Sequence, residues 1–302
     1  MRPAKSRAAG LLLVQCLWLV ASCSLDATSA RLSGEFLKQD EIYHSKGKEI
    51  PEGYTTDRAL ADYAEMLASG FDGALAALGP RDRWLDIGAG EARAILEYYG
   101  PSYDRAHPAR AGGKAQATAI SIEDRRTPLW YQTAAKLPPG QIRYLHEKRL
   151  REYSQDEVGS FQLITDVIGG FSYTTDPSLF VERVLGLLAA NGSFYTVLQD
   201  VRSESGDNRP YYRDSPFSSA IANADGSEAS FCSWLRSVSC VRVVCEPKQG
   251  WRPPIEAFRI TRVCDEIEVP RLELVDFEAS TPPGRQFRRL PEQGVGEPKV
   301  LR

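Results

Sequence analysis

The chain has 302 residues, enough for one large domain with appendages or for two small ones. An apolar share of 42% and a charged share of 25% are those of an ordinary globular protein. The net charge is −3, with bases mixed among acids rather than gathered into a patch, so nothing points to nucleic acid.

Arg2, Lys5 and Arg7 make a basic start, and the run LLLVQCLWLVA at 11–21 is apolar but too short to span a bilayer. Residues 1–22 therefore read as a signal peptide. The run ends in Val20-Ala21-Ser22-Cys23, which resembles the lipobox of bacterial lipoproteins. That resemblance implies cleavage before Cys23, lipidation of its thiol, and a place in the cell envelope with the membrane touched only through the anchor. A plain secretory signal with an incidental Cys is the alternative. So is a misread start, which would leave the chain cytoplasmic. Residues 23–55 are polar with few periodic apolar positions and read as a tether and lead-in.

From Thr56 onward Leu60, Tyr63, Leu67, Phe71, Leu75 and Leu78 recur at helical spacing, with Gly70 and Gly73 placed to break the helix in two. Trp84, Leu85 and Ile87 form a strand that enters a Gly-x-Gly turn, and a helical run from Ala92 to Leu96 leaves it. Glycines at such a turn allow positive φ and close approach of a ligand, and the following helix start offers unpaired N–H groups. Further strands are expected at 117–122, 142–145, 161–168 and 193–200. The best-marked helix spans 176–192, with Asp176 as N-cap, Pro177 in the first turn and Asn191-Gly192 as stop. A short helix at 230–238 and an alternating strand pair at 240–246 and 256–263 close the domain, assigned to 56–270. The Pro/Gly-rich end makes 271–302 an extended, disordered tail. Strands alternating with helices and then a hairpin mean an α/β fold with a mostly parallel sheet.

A dinucleotide site wants Gly-x-Gly-x-x-Gly, and Arg93 occupies the sixth position here. The segment Asp86-Ile87-Gly88-Ala89-Gly90 instead resembles motif I of the class I S-adenosylmethionine-dependent methyltransferases, with Ala92 where the family often has a third Gly. The resemblance implies a Rossmann-like class I methyltransferase fold. It also implies cofactor contacts from Asp86, Gly88, Ala89 and Gly90, because the methionine end of S-adenosylmethionine carries an ammonium and a sulfonium. Glu123, with Asp124 in reserve, sits where the family has the acid that holds the ribose hydroxyls, although an inserted loop at 100–114 lengthens the usual distance. Glu147 sits where the family meets the adenine amino group.

Methyl transfer uses an already activated cofactor, so positioning supplies much of the rate and a base is needed only if the acceptor must lose a proton. Asp166, at the carboxyl end of the fourth strand, is the leading candidate to orient or deprotonate a small-molecule or envelope acceptor. A helix- or turn-capping role is its bland alternative. Phe171 and Tyr173 are candidates to line the acceptor pocket. His44, His107 and His146 are scattered without metal-ligand spacing. A lipid-anchored binding or scaffold protein that keeps the fold without catalysis is the second functional class.

Four cysteines, Cys232, Cys240, Cys245 and Cys264, follow the anchor, and three full pairings are open. The hairpin expresses a preference. A turn centred between Gly250 and Trp251 makes facing positions sum to about 501, which puts Cys240 nearly opposite Cys264.

Overall fold

A computed structural model describes residues 57–100, 113–199, 218–223, 225–248, 250, 255–278 and 284–291. The expected signal, Cys23, the tether to residue 56 and most of the 100–114 loop lie outside the described residues.

The amphipathic run after Thr56 forms two helices, α1 (Leu60–Met66) and α2 (Phe71–Ala76). The break falls where Leu67 turns extended and Gly70 takes φ +88°, a conformation that L side chains rarely adopt. Then come β1 (Arg83–Ile87), α3 (Arg93–Tyr98) and β2 (Gln116–Ile120). The unexpected helix α4 (Pro128–Ala134) follows, before β3 (Ile142–Leu145). Thr127-Pro128 is a start signal for α4, but Trp130 alone is buried on it, so no apolar stripe marks it.

A 3₁₀ turn (Leu150–Glu152) and α5 (Gln155–Val158) lead to β4 (Phe161–Asp166). After α6 (Gly170–Tyr173), α7 (Pro177–Leu187) starts as expected, with the Asp176 carboxylate accepting the Leu179 N–H at 2.8 Å. It ends five residues before the expected stop. Leu188 already pairs with Phe161, and β5 (Leu188–Gln199) absorbs Asn191 at φ +61° as an irregularity in the register.

Short strands β6 (Ser218–Ala222) and β7 (Glu228–Ala229) precede α8 (Phe231–Arg236). The hairpin strands β8 (Val241–Lys248) and β9 (Ile255–Arg262) follow, then β10 (Leu272–Glu278) and β11 (Gly284–Arg289). No helix among the described residues is long and apolar enough to cross a membrane.

Seven strands form one sheet in the order β3-β2-β1-β4-β5-β9-β8, parallel except for β9, which runs antiparallel to both of its neighbours. Alternate residues serve opposite faces. Trp84, Leu163, Tyr195 and Ala257 join α1, α2 and α3 in one core, whereas Leu85, Ile164, Phe194 and Phe258 join α7 and α8 in the other. A sheet buried on both faces needs apolar residues in both registers, and these strands supply them. This is a Rossmann-like α/β fold, a mostly parallel sheet closed by an antiparallel hairpin.

The stretch after residue 270 is not an extended tail throughout. β10 and β11 join β6 and β7 in a second sheet, ordered β10-β11-β6-β7, with β11 parallel to β6. Ile221, Leu272 and Phe287 put its inner face into the second core. The Pro/Gly content that reads as disorder flanks β11, with Pro282 and Pro283 just before it and Pro291, Gly294, Gly296 and Pro298 after it.

The hairpin register pairs Val241 with Arg262, so facing positions lie close to the expected sum. A disulfide joins Cys240 to Cys264, with Cα atoms 4.9 Å apart. A second joins Cys232 on α8 to Cys245 on β8.

The aromatic contacts of β11 provide a test of its place in the core. Phe287 is fully buried, with its ring centre 6.1 Å from that of Phe231. Phe287→Ala is expected to lower the unfolding free energy in urea by about 3–5 kcal/mol. An unchanged midpoint would mean that residues 284–291 do not pack.

Candidate functional site

The strand order reverses between β1 and β4, since β2 and β3 lie on one side of β1 and β4 and β5 on the other. The crevice at the carboxyl ends of such a pair is where open α/β sheets bind ligands. Two acids stand beneath it, and both are fully buried: Asp86 on β1 and Asp166 at the end of β4.

Asp86 accepts hydrogen bonds from the Tyr63 hydroxyl, at 2.8 Å to Oδ2, and from the Thr165 hydroxyl, at 2.7 Å to Oδ1. Thr165 is its register partner on β4, and the Trp84 indole donates to the Thr165 oxygen at 2.8 Å. Burial pushes the Asp86 carboxyl up to about 7, while the two hydroxyl donors and the charge of Arg58 pull the other way. The seat is built by α1 and β4 together.

The turn after β1 is tied to β2, with the Gly88 and Ala89 N–H groups donating to the Ile120 carbonyl at 2.9 and 3.0 Å. Gly88 has φ +70°, and a Cβ there would lie 2.7 Å from the Gly169 Cα. The missing side chain therefore makes room first for another piece of backbone, the turn after β4. A helix does follow the turn, but α3 has six residues and offers little macrodipole.

Asp166 holds that second turn. Its Oδ1 accepts the Gly169 N–H at 2.8 Å and its Oδ2 the Phe171 N–H at 2.9 Å. Burial pushes it up to about 7 against these N–H donors, and the neighbouring Asp86 adds to the rise. Both oxygens are engaged, so the structure puts Asp166 in the capping role rather than aiming it as a base at the crevice. Phe171 stacks on Phe180 and meets Phe231 edge-on inside the second core, so it does not line a pocket. Tyr173, at the end of α6, is half-buried. The buried Arg285 guanidinium donates to the Phe171 and Thr174 carbonyls, which fastens this loop to the second sheet.

The remaining acids lie along the same edge. β2 ends at Ile120, earlier than expected, and the Glu123 side chain is 47% exposed, with Oε2 2.5 Å from Arg125. Asp124 pairs with Arg126 at 2.7 Å, and that guanidinium holds its carboxyl well below the usual range. Glu147 is 82% exposed at φ +71°, with its N–H on the Ile122 carbonyl at 3.0 Å and its carboxylate 3.5 Å from His146. Of the five non-glycine residues with positive φ among the described residues, Ala92, Glu147 and Ile168 follow β1, β3 and β4 at this edge. Backbone strain gathers where sites are built. Three residues join the site that the motif did not name: Tyr63, Thr165 and Tyr144. The Tyr144 hydroxyl donates to the Gly90 carbonyl at 2.5 Å. A buried tyrosine signals in sequence that its hydroxyl needs a partner, but not which one.

No protein-family model matches the chain, and no curated protein matches it in sequence. Solved structures do resemble it. A putative O-methyltransferase from Klebsiella pneumoniae is 11% identical with a TM-score of 0.43, covering 75% of this chain and 90% of that one. The N-methyltransferase NodS from Bradyrhizobium japonicum WM9, in complex with S-adenosyl-L-homocysteine, is 11% identical with a TM-score of 0.41, covering 74% and 98%. PKMT2 from Rickettsia typhi, in complex with AdoHcy, is 16% identical with a TM-score of 0.33. The match covers 47% of this chain and spans only 26% of that protein. Likenesses this distant carry no functional argument, which rests on the site itself.

The buried acids make stability depend on pH. Asp86 and Asp166 titrate near 7 in the folded chain and near 3.8 when unfolded. The folded state therefore holds extra protons between those values. Their stabilising contribution is present at low pH and lost as pH rises through about 7. The melting temperature is expected to fall between pH 5 and 8, and Asp86→Asn, which removes one buried charge, to flatten that fall. A flat or rising wild-type curve over this window contradicts the assignment.

Proposed function

We propose that the chain is an S-adenosylmethionine-dependent methyltransferase acting on a small-molecule or envelope acceptor. The observation that carries this reading is Asp86, a fully buried carboxylate at the switch-point crevice whose hydrogen bonds come from two hydroxyls. Burying a carboxylate is costly, and a cationic ligand above it offsets that cost. The donor set suits the cofactor. The carbonyls of the Gly88–Gly90 turn would meet the ammonium and sulfonium end, with Asp86, whose oxygens accept from Tyr63 and Thr165, supplying negative charge from beneath. Glu123 would meet the ribose hydroxyls and Glu147 the adenine amino group. When bound, the cofactor supplies a methyl group already activated on sulfur. The chain's own residues bind and orient, and hold the two turns in register.

One observation favours a non-catalytic binding protein instead. Both Asp166 oxygens serve backbone N–H groups, so this acid is not placed to take an acceptor proton. An acceptor that needs no deprotonation reconciles the enzyme reading with that geometry.

Thermal melts test cofactor binding directly. Millimolar S-adenosylmethionine is expected to raise the melting temperature of residues 24–302, since a ligand that binds only the native state stabilises by mass action. Gly88→Val, with a β-branched side chain aimed at the Gly169 backbone, should abolish the shift. No shift in the wild type moves the reading to the binding-protein alternative.

We also place the chain in the envelope, anchored through Cys23. The two disulfides support an oxidising compartment. Alkylation without reductant, followed by mass spectrometry, should recover the Cys240–Cys264 and Cys232–Cys245 peptides. Cys23→Ser should release the protein from bacterial membranes. Four freely alkylated thiols, or equal membrane partition of both forms, would count against export or against the anchor respectively.

A further inference from the structure

One row of side chains crosses the sheet beneath the crevice. Tyr144 on β3 faces Ala119 on β2, Ala119 faces Asp86 on β1, and Asp86 faces Thr165 on β4. Ala119 is the smallest member, and the tyrosine hydroxyl reaches past β2 to the turn after β1. Two loops meet at that oxygen, the turn after β1 and the segment after β2. Its proton goes to the Gly90 carbonyl at 2.5 Å, the Glu123 carbonyl lies 3.3 Å away, and the Arg125 N–H donates to it from 3.3 Å. The ring itself is held. Trp130 meets it edge-on with ring centres 5.2 Å apart. The Arg126 guanidinium sits 5.6 Å from its centre and is fastened in turn to Asp124.

We propose that Tyr144 is a positioning residue for the cofactor, fixing the distance between the glycine turn and the Glu123 loop. This rests on the methyltransferase reading, in which the turn faces the methionine end and Glu123 the ribose. A ligand that bridges two irregular loops loses affinity to the cost of ordering them unless they are already fixed in register. Neither loop belongs to a helix or strand at Gly90 or Glu123, so a hub bonded to both replaces that missing regularity. The inserted segment at 100–114 lengthens the covalent path between them, which makes a direct cross-link worth more.

The test compares wild type, Tyr144→Phe and Tyr98→Phe by calorimetric titration with S-adenosylhomocysteine. Tyr98 is the control because its hydroxyl also accepts two backbone N–H groups, those of Lys114 and Ala115 at 3.2 Å, but at the opposite end of β2. Tyr144→Phe is expected to bind about tenfold more weakly, while Tyr98→Phe keeps wild-type affinity. The unliganded melting temperatures of the two variants should be similar. Hydrogen exchange of the unliganded Tyr144→Phe protein should show the Arg125 amide less protected. Wild-type affinity in Tyr144→Phe overturns the proposal, as does an equal loss in both variants, which would mark a general structural effect. Failure of the wild type to bind at all overturns the methyltransferase reading and takes this proposal with it.

Discussion

Two backbone turns touch at the crevice, and the contact between Gly88 and Gly169 leaves no room for a Cβ on the first of them. Bringing the turns this close commits the residues beneath. Asp166 must satisfy the N–H groups of its own turn, and Asp86 must find its donors from α1 and from β4. The result is a pair of buried carboxylates on adjacent strands, both pushed toward neutrality by desolvation, with the charge of Asp86 adding to the rise at Asp166. In the proposed reading, a cation at the crevice offsets the cost of that burial.

The alternation of strands and helices, the glycine turn and the closing hairpin were all legible, because each leaves a local mark: apolar runs bounded by Gly, Pro or a cap. Asp176 could be read as a cap from its neighbours alone. The helix α4 could not, since one buried Trp130 makes no periodicity. The end of α7 is hidden for a related reason. Asn191-Gly192 is a good stop signal, but the pairing of Leu188 with Phe161 is a tertiary interaction, and it won. β10 and β11 were hidden by their connection, whose prolines dominate the composition of short windows.

At the site, residue types were readable and partners were not. Asp86, Gly88 and Gly90 stand out in sequence because the motif is contiguous. Tyr63 looked like one more core position of an amphipathic helix, and Tyr144 like an ordinary strand residue. Their roles depend on register across strands, which no stretch of ten residues encodes. Asp166 carried two readings, and the geometry of the loop after β4 chose between them. Arg285 belonged to a segment expected to be disordered, yet it is buried, its guanidinium pushed down to about 9 by desolvation, and it is bonded to the carbonyls of the loop that follows Asp166.

The second sheet has an order that bears on how the chain is made. β11, the last strand described, is not at an edge: it lies between β10 and β6. During synthesis β6 and β7 leave the ribosome well before the strand that joins them to β10. Until residues 284–289 emerge, β6 presents an open edge and the aromatic cluster around Phe231 lacks the cover of Phe287. Exposed edges and apolar surface of this kind invite association with other chains. A nascent chain in this state must be shielded or must finish quickly, and a chain stopped before residue 284 lacks the strand that joins β6 to β10.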